Sequence, residues 1–573
     1  MRTAGNTRPR RPLLIVVVAV LSVAAAGLAV AGSPAARAAT GAGARPRAAT
    51  APRAATAPQV LLVGSYHGIP GGYSSIRDAL AAAQPGDWIL VGPGDYKAAP
   101  YGGATAGSGG TPAPAGVFIT TPGIHLRGMD RNTVIVDGTR PGSPPCSPAA
   151  ADQVISPDGA NGVEVYQASG TWIENLTVCN YLTNTAGTGG NEIWWNGGQG
   201  TGTTGMGSYW GDYLTATSTY SDGVNPPYAD YGIYSGNATG PGSIDQTYAS
   251  NQGDSAYYIG ACPDCNAVLS HAHAQNSALG FSGTDSGGHL VIEDSVFDHN
   301  KSGLTSNSQN NDDAPSPQSG ACPGGGTGPL GNGSCEIWRN NQVTGNNNPN
   351  VPGNSTNGLA GASPIGSGIV LAGTRQITLT GNQISGNGSW GVLVADLPDQ
   401  EYPPTAANGE NCQGGVYLVP PGTPGQAPLC YFQALGNQVL GNSFSGNGGF
   451  GNPTNGDVAL FTTPSTDLAP PHHLYGADCF SGNTDPGGLT SDPPAVQSDP
   501  LLTCGVPSPG NPDPAVVAQA ECAAQLFAAC PAVPGLNYPR PAASFTLDMP
   551  APQATMPDPC AGVPVNPWCP AGG

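Results

Sequence analysis

The sequence predicts an all-β solenoid, a parallel β-helix, on two observations. A short strand pattern recurs as YGIYSG (Tyr231 to Gly236), AYYIG (Ala256 to Gly260), LGFSG (Leu279 to Gly283), SGLTS (Ser302 to Ser306), SGIVLAG (Ser367 to Gly373) and WGVLVAD (Trp390 to Asp396). With Gly232, Ala256, Gly280 and Gly303 as equivalents the steps are 24, 24 and 23 residues, and Gly368 to Gly391 is again 23. A second apolar alternation ending near Asn follows, as LVIEDSVFDHN (Leu290 to Asn300), EIWRNNQVTGN (Glu336 to Asn346), ITLTGNQISGNG (Ile377 to Gly388) and GNQVLGNSFSGN (Gly436 to Asn447). Several short strands per period of about 23 describe units that bury their apolar faces only by stacking on one another.

Composition agrees. Charged residues are 9% of the 573, against roughly 25% in an ordinary globular protein, while Gly 87 and Pro 59 punctuate the chain, which excludes charged bundles and coiled coils. At the N-terminus Arg8 to Arg11, the apolar run Leu13 to Val30 and Ala36-Arg37-Ala38 form a secretory signal over residues 1–38, followed by an Ala/Pro/Thr linker over 39–58. The run is long enough to span a membrane, but its small-residue exit favours cleavage, so the mature chain is not an integral membrane protein. Loss of Arg2, Arg8, Arg10, Arg11 and Arg37 moves the net charge from −20 to about −25, which disfavours nucleic acid and anionic lipid as partners. Fourteen cysteines in an exported chain read as disulfides, and the close pairs are Cys262/Cys265, Cys322/Cys335, Cys412/Cys430, Cys522/Cys530 and Cys560/Cys569. A redox or zinc role for Cys262-Pro-Asp-Cys265 lacks a second cysteine pair at zinc spacing.

The coils, preceded by GGYSSIRDALAAAQPGDWILVGPGDY (Gly71 to Tyr96), resemble the secreted right-handed parallel β-helix proteins of the pectin-lyase-like superfamily. The resemblance implies a cap helix at Ser74 to Ala83, where Ile76, Ala79, Leu80 and Ala83 recur at helical spacing, and then a first strand from Asp87 to Val91. GVFITTPGIHLRGMDRNTVIVDG (Gly116 to Gly138) is the first full coil, and the resemblance covers Gln59 to Asn483, the expected β-helix domain 59–483. Two insertions interrupt it, Asn307 to Cys335 and Leu397 to Cys430; long loops on one edge of a solenoid often wall a cleft. Residues 484–573 read as a Pro/Ala-rich cap or tail with one short helix within Asp513 to Cys530 and no site. The scaffold carries lyases, hydrolases, epimerases and inert proteins alike, so it does not fix chemistry.

Strand alternation sorts the side chains. With Ile233, Tyr257, Phe281, Leu304, Ile369 and Val392 inward, the outer face holds Tyr234, Tyr258, Ser282, Thr305, Val370 and Leu393, and GGNEIWWNGG adds Trp194. Two positions ahead of the aligned glycine stand Asp230, Asp254, Ala278 and Lys301. Aligned exposed aromatics suit sugar rings, and paired carboxylates suit calcium or acid and base roles; the bland alternative is a set of ladders on a solvated face. Lys301 is the only lysine after Lys97, so it is a placed cation or an ion-pair partner for Asp298. The candidate catalytic residues are therefore Asp230, Asp254 and Lys301, and the candidate substrate-binding residues are Trp194, Tyr234, Tyr258, Thr305 and Asn307.

Aligning NAVLSHAHAQN (Asn266 to Asn276) with LVIEDSVFDHN puts His271 beside Ser295 and Asn382 in a turn ladder and His273 beside Phe297 and Ile384 in the core; His299 is the better site histidine. Asn310-Asn311-Asp312-Asp313 offers calcium oxygen ligands without an EF-hand pattern, so Ca2+ is the one candidate cofactor and no metal ligands are assigned. The polygalacturonase pattern and the Asp-Pro-His-Asp of alginate epimerases are absent. With so few cations a polyuronate would depend on metal, which favours a neutral glycan. The expectation is a secreted monomer that acts on an extracellular polysaccharide as lyase or hydrolase, or else a non-catalytic glycan-binding or structural surface protein.

Overall fold

The structure is a computed structural model and describes residues 57–103, 113–198, 204–309, 318–354, 358–399, 412, 416–417, 429–463, 476–506, 510–525 and 537–571. Among these, three parallel sheets of 12, 10 and 11 strands run the length of the molecule. We call them sheets 1, 2 and 3 in that order. A representative coil passes from Tyr231–Gly236 in sheet 3 to Gly242–Asp245 in sheet 1 and Tyr248–Ser250 in sheet 2, then returns to sheet 3 at Ser255–Gly260. The chain therefore winds as a right-handed parallel β-helix, the hand that parallel crossovers take.

From Asn175 onward only two residues separate sheet 1 from sheet 2, and the backbone is left-handed at the first of them. Asn175, Tyr213, Gln246, His271, Asp294 and Asn340 have φ between 45° and 58°, and glycine takes over at Gly381, Gly441 and Gly482. The second residue of each turn points inward. There Asn341, Asn382, Asn442 and Asn483 form a ladder, each Nδ2 donating to the next Oδ1 at 2.9–3.0 Å. Asn300, Asn346, Asn387 and Asn447 repeat the device after sheet 2 at 3.1 Å. These ladders satisfy buried turn amides that no strand can pair, which explains the asparagine closing each repeat.

The bore is apolar. Ile233, Tyr257, Phe281, Leu304, Ile369 and Val392 point inward in register, as the alternation predicts. Wide and narrow residues compensate across it: a Cβ on Gly211 would lie 2.6 Å from the Trp195 ring. One sequence register is corrected. Ala267 pairs with Leu290 and Ala274 with Phe297, so the histidine segment stands one residue away from the expected alignment. His271 is thus the left-handed outer turn residue and His273 faces outward, because a one-residue shift exchanges the faces of a strand.

Ile76–Ala82 caps the N-terminal end, with Ser75 accepting from the Asp78 amide and with Ile76 and Ala79 buried. The 65-residue step from Gly303 to Gly368 is a single coil, since Ser302–Asn307 pairs directly with Ser367–Ala372. The signal segment, Asn310 to Asp313 and most of the second insertion lie outside the described residues. The disulfides Cys262–Cys265, Cys322–Cys335, Cys412–Cys430 and Cys560–Cys569 form as expected. Cys146–Cys179 and Cys479–Cys504 were not legible as local pairs, and the Cys522/Cys530 pair reaches outside the described residues.

The C-terminal segment does more than end the solenoid. Helix Pro514–Ala523 packs on the outer face of sheet 3, burying Val370, Leu393 and Ala459. Residues 537–571 then run back along the molecule as a strap. Asn537 hydrogen-bonds Asn452, Ala542 meets Asn350, Asp548 accepts from Asn251, Gln553 pairs with Asn132, Thr555 donates to Asn175, and Trp568 Nε1 donates to Ile69. The strap ends in the Cys560–Cys569 loop, whose Trp568 is buried with Trp88, Leu90 and Met129 on the first coils.

Candidate functional site on sheet 3

The outer face of sheet 3 divides into two halves. Its C-terminal coils present Val370, Leu393 and Ala459, an apolar strip that the C-terminal helix covers. Its N-terminal coils present, in one register column, Phe118, Glu164, Trp194, Tyr234, Tyr258, Ser282 and Thr305. The expected stripe therefore exists and gains Glu164 and Phe118.

The aromatics are packed more tightly than a row of open platforms. Trp194 and Tyr234 stack at 4.9 Å with an 8° interplanar angle, and Tyr258 meets Tyr234 edge-on at 4.7 Å. Trp194 is 4% exposed and Tyr258 6%, which corrects the expectation of exposed rings, while Tyr234 stays half-buried. Glycine two residues on makes room for the tyrosines: a Cβ on Gly236 would lie 2.8 Å from the Tyr234 ring, and one on Gly260 2.7 Å from the Tyr258 hydroxyl. The Trp194 Nε1–H is buried and has no acceptor among the described residues.

Asp230 and Asp254 occupy the same position on adjacent coils, with the Asp254 amide donating to the Asp230 carbonyl at 2.9 Å. Tyr231 Oη donates to Asp254 Oδ2 at 2.8 Å. Burial, Asp254 and Asp230 push the Tyr231 hydroxyl well above its ordinary range. Tyr231 also touches Tyr234 and Tyr258, at 4.7 and 5.6 Å between ring centres, and so joins the carboxylates to the aromatic column.

Lys301 does not join them in the open. Its side chain is fully buried, Nζ donates to the Gly361 carbonyl, and burial, with Arg540 nearby, lowers it to about 7. Asp298, the ion-pair partner considered for it, faces His273 at 2.9 Å and His299 at 3.2 Å instead. Thr305 lies against Ser363 at 3.4 Å, and Asn307 accepts from Thr284 at 3.2 Å; both are nearly buried.

Sequence reading missed Glu164 and Tyr231. Glu164 is fully buried and accepts from Asn161 and Asn196 at 3.0 and 2.9 Å. Its coil and the next are 30 residues apart, so the 23-residue spacing could not align it. Tyr231 sits directly after Asp230, and its hydroxyl reaches the next coil's carboxylate. The cluster Asp137, Cys146 and Cys179 holds no metal thiolates, because both cysteines are in one disulfide.

The strand pairing defines a right-handed parallel β-helix protein. No family model and no curated protein matches the chain. Several solved structures align with it. They include the A-module of a mannuronan C-5 epimerase from Azotobacter vinelandii, 14% identical over 71% of this chain and 89% of its own, with a TM-score of 0.38. Others are an endo-xylogalacturonan hydrolase from Aspergillus tubingensis (13%, 79% and 100%, TM-score 0.39) and an alginate lyase from Paenibacillus sp. str. FPU-7 (12%, 75% and 96%, TM-score 0.32). At such identities the likeness concerns architecture alone.

Proposed function

We propose that this is an exported protein that binds a neutral extracellular polysaccharide across the N-terminal half of sheet 3's outer face, with Asp254 and Asp230 serving proton transfer at a glycosidic bond. The observation that carries the reading is the Tyr231–Asp254 hydrogen bond, set one coil from Asp230 and touching the Trp194–Tyr234–Tyr258 column. Tyr231 fixes the orientation of the Asp254 carboxylate, and a second carboxylate about 4.8 Å along the axis makes unequal protonation of the two favourable. The strands from Asn191–Asn196 to Ser302–Asn307 carry no Lys or Arg, so a polyuronate has no cation to meet there. With Lys301 directed to a backbone carbonyl, proton abstraction by a lysine loses support relative to acid and base catalysis by carboxylates. Six disulfides among the described residues suit an oxidising, extracellular setting.

The test is a panel of neutral and uronate polysaccharides scored for reducing ends and for unsaturated products, with and without EDTA. The reading expects reducing ends from a neutral glycan, insensitivity to EDTA, and a loss of about a hundredfold or more in Asp254→Asn with folding retained. Unsaturated products, or full activity in Asp254→Asn, would refute it. Tyr258→Ala is expected to weaken glycan binding about fivefold or more through lost ring contact.

A further inference from the structure

A second face carries chemistry that sheet 3 does not use. On the outer side of sheet 1, Val60, Trp88, His125, Trp172, Trp210, Ser243, Val268 and Val291 stand in one register column. Four rings stack in it: Trp88 on His125 at 4.0 Å, His125 on Trp172 at 5.6 Å, and Trp172 on Trp210 at 4.4 Å, with interplanar angles of 9°, 14° and 12°. A stack of parallel rings shows solvent its edges, and only its two ends have a free face. The first end is buried against the C-terminal loop with Trp568. At the other end the column falls from Trp210 to Ser243 and then to Val268, all half-buried, so the last indole face looks onto small side chains.

The neighbouring column carries acid. Arg127, Glu174, Asp212, Asp245, Ser270 and Glu293 follow one another in register. Arg127 is bound to Glu174 at 2.9 Å, and Asp245 accepts from Ser270 and meets His271, both at 2.8 Å. Asp212, between them, forms no direct ion pair among the described residues, Arg127 and Arg131 acting on it only from a distance, and its Oδ1 is buried without a hydrogen-bond partner. Burial, then Asp245 and Glu174, raise its carboxyl to about 6 against the smaller opposing pull of the Tyr213 amide and Arg127. A carboxylate with no direct ion pair and with like-charged neighbours favours a cationic donor, and a free indole face favours a ring whose hydrogens carry partial positive charge.

We propose that the end of this stack, formed by Trp210, Ser243, Asp212 and Asp245, is a second glycan-binding site, selective for a protonated amino sugar. The sugar ring lies on the free face of Trp210 above Ser243, and its ammonium group donates to Asp212 Oδ1. This site is separate from the sheet 3 face and does not depend on that face being catalytic.

The test is calorimetric titration of the full exported chain with a pentamer of β-linked glucosamine, its fully N-acetylated counterpart, and calcium chloride. The glucosamine pentamer is expected to bind. Trp210→Ala and Asp212→Asn are each expected to weaken it about tenfold, and Ser243→Trp, which extends the stack over the free face, to abolish it. Trp194→Ala on sheet 3 is expected to leave it unchanged. Thermal melts of each variant check folding, and Ser243→Trp serves if Trp210→Ala melts early. Equal binding of the N-acetylated pentamer, loss of binding in Trp194→Ala alone, calcium binding at Asp212 without pentamer binding, or no binding of the glucosamine pentamer would each overturn the proposal.

Discussion

Glu336 stands in an inward column of sheet 1, in register between Leu290 and Ile377, and is fully buried. Trp338 Nε1 and Gln318 Nε2 donate to its oxygens at 3.2 and 2.6 Å, which favours the carboxylate, but burial outweighs them and raises the group to about 8 from 4.5. Because the folded value lies above the unfolded one, the stabilising contribution is complete below about pH 4.5 and is lost as pH rises toward 8. At about 1.4 kcal/mol per pH unit, the difference amounts to something on the order of 5 kcal/mol. Glu336→Gln keeps the volume and removes the titration. Urea unfolding at pH 5, 6.5 and 8 should show the native chain losing stability toward pH 8, with the variant's profile flatter by several kcal/mol (~3 or more). Asp478, raised by burial to about 7, and Asp396, raised by burial to about 6, slope the same way in both proteins and do not account for a difference. Parallel profiles for the two, at equal m-values, would refute the reasoning.

Three further outcomes are expected. Asn382→Leu removes the side chain that accepts from both the amide and Nδ2 of Asn341 and donates to Trp338 O and Asn442; a loss of about 3 kcal/mol or more in urea unfolding follows from stranding those groups. Deleting residues 537–573 uncovers Trp88, Leu90 and Met129, and should raise binding of an apolar dye and speed proteolysis near the first coils relative to the full chain. The native chain should show no titratable thiol with a sulfhydryl reagent, since no described cysteine is free.

How much of this was legible depended on local regularity. From Gly232 to Gly303 the spacing of small residues marks the inward position beside the asparagine ladder, where a Cβ on Gly280 would lie 2.6 Å from the Gly303 carbonyl and only Gly or Ala fits. That constraint gave the strand register and placed Tyr234 and Tyr258 outside. It did not give exposure, because burial of Trp194 and Lys301 comes from neighbouring rings and from a segment 60 residues downstream. The histidine alignment slipped by one because both registers preserve an apolar alternation, and only the left-handed turn at His271 decides between them. The sheet 1 column was invisible for another reason. Its members at Trp172 and Trp210 lie in irregular early coils, 38 residues apart, before the regular repeat begins.

The strap also has a consequence in time. A chain made from its N-terminus lays down the coil around Trp88 before the loop around Trp568. Until residues 554–569 emerge, the oldest part of the solenoid presents Trp88, Leu90 and Met129 bare, together with Arg127 and Arg131 lacking the carbonyls of Pro559, Ala561 and Ala554. Only a chain that extends through Trp568 covers these first coils. A molecule cut short anywhere after the coils keeps an apolar signature at the opposite end from the damage, where quality-control proteases and chaperones read exposed surface.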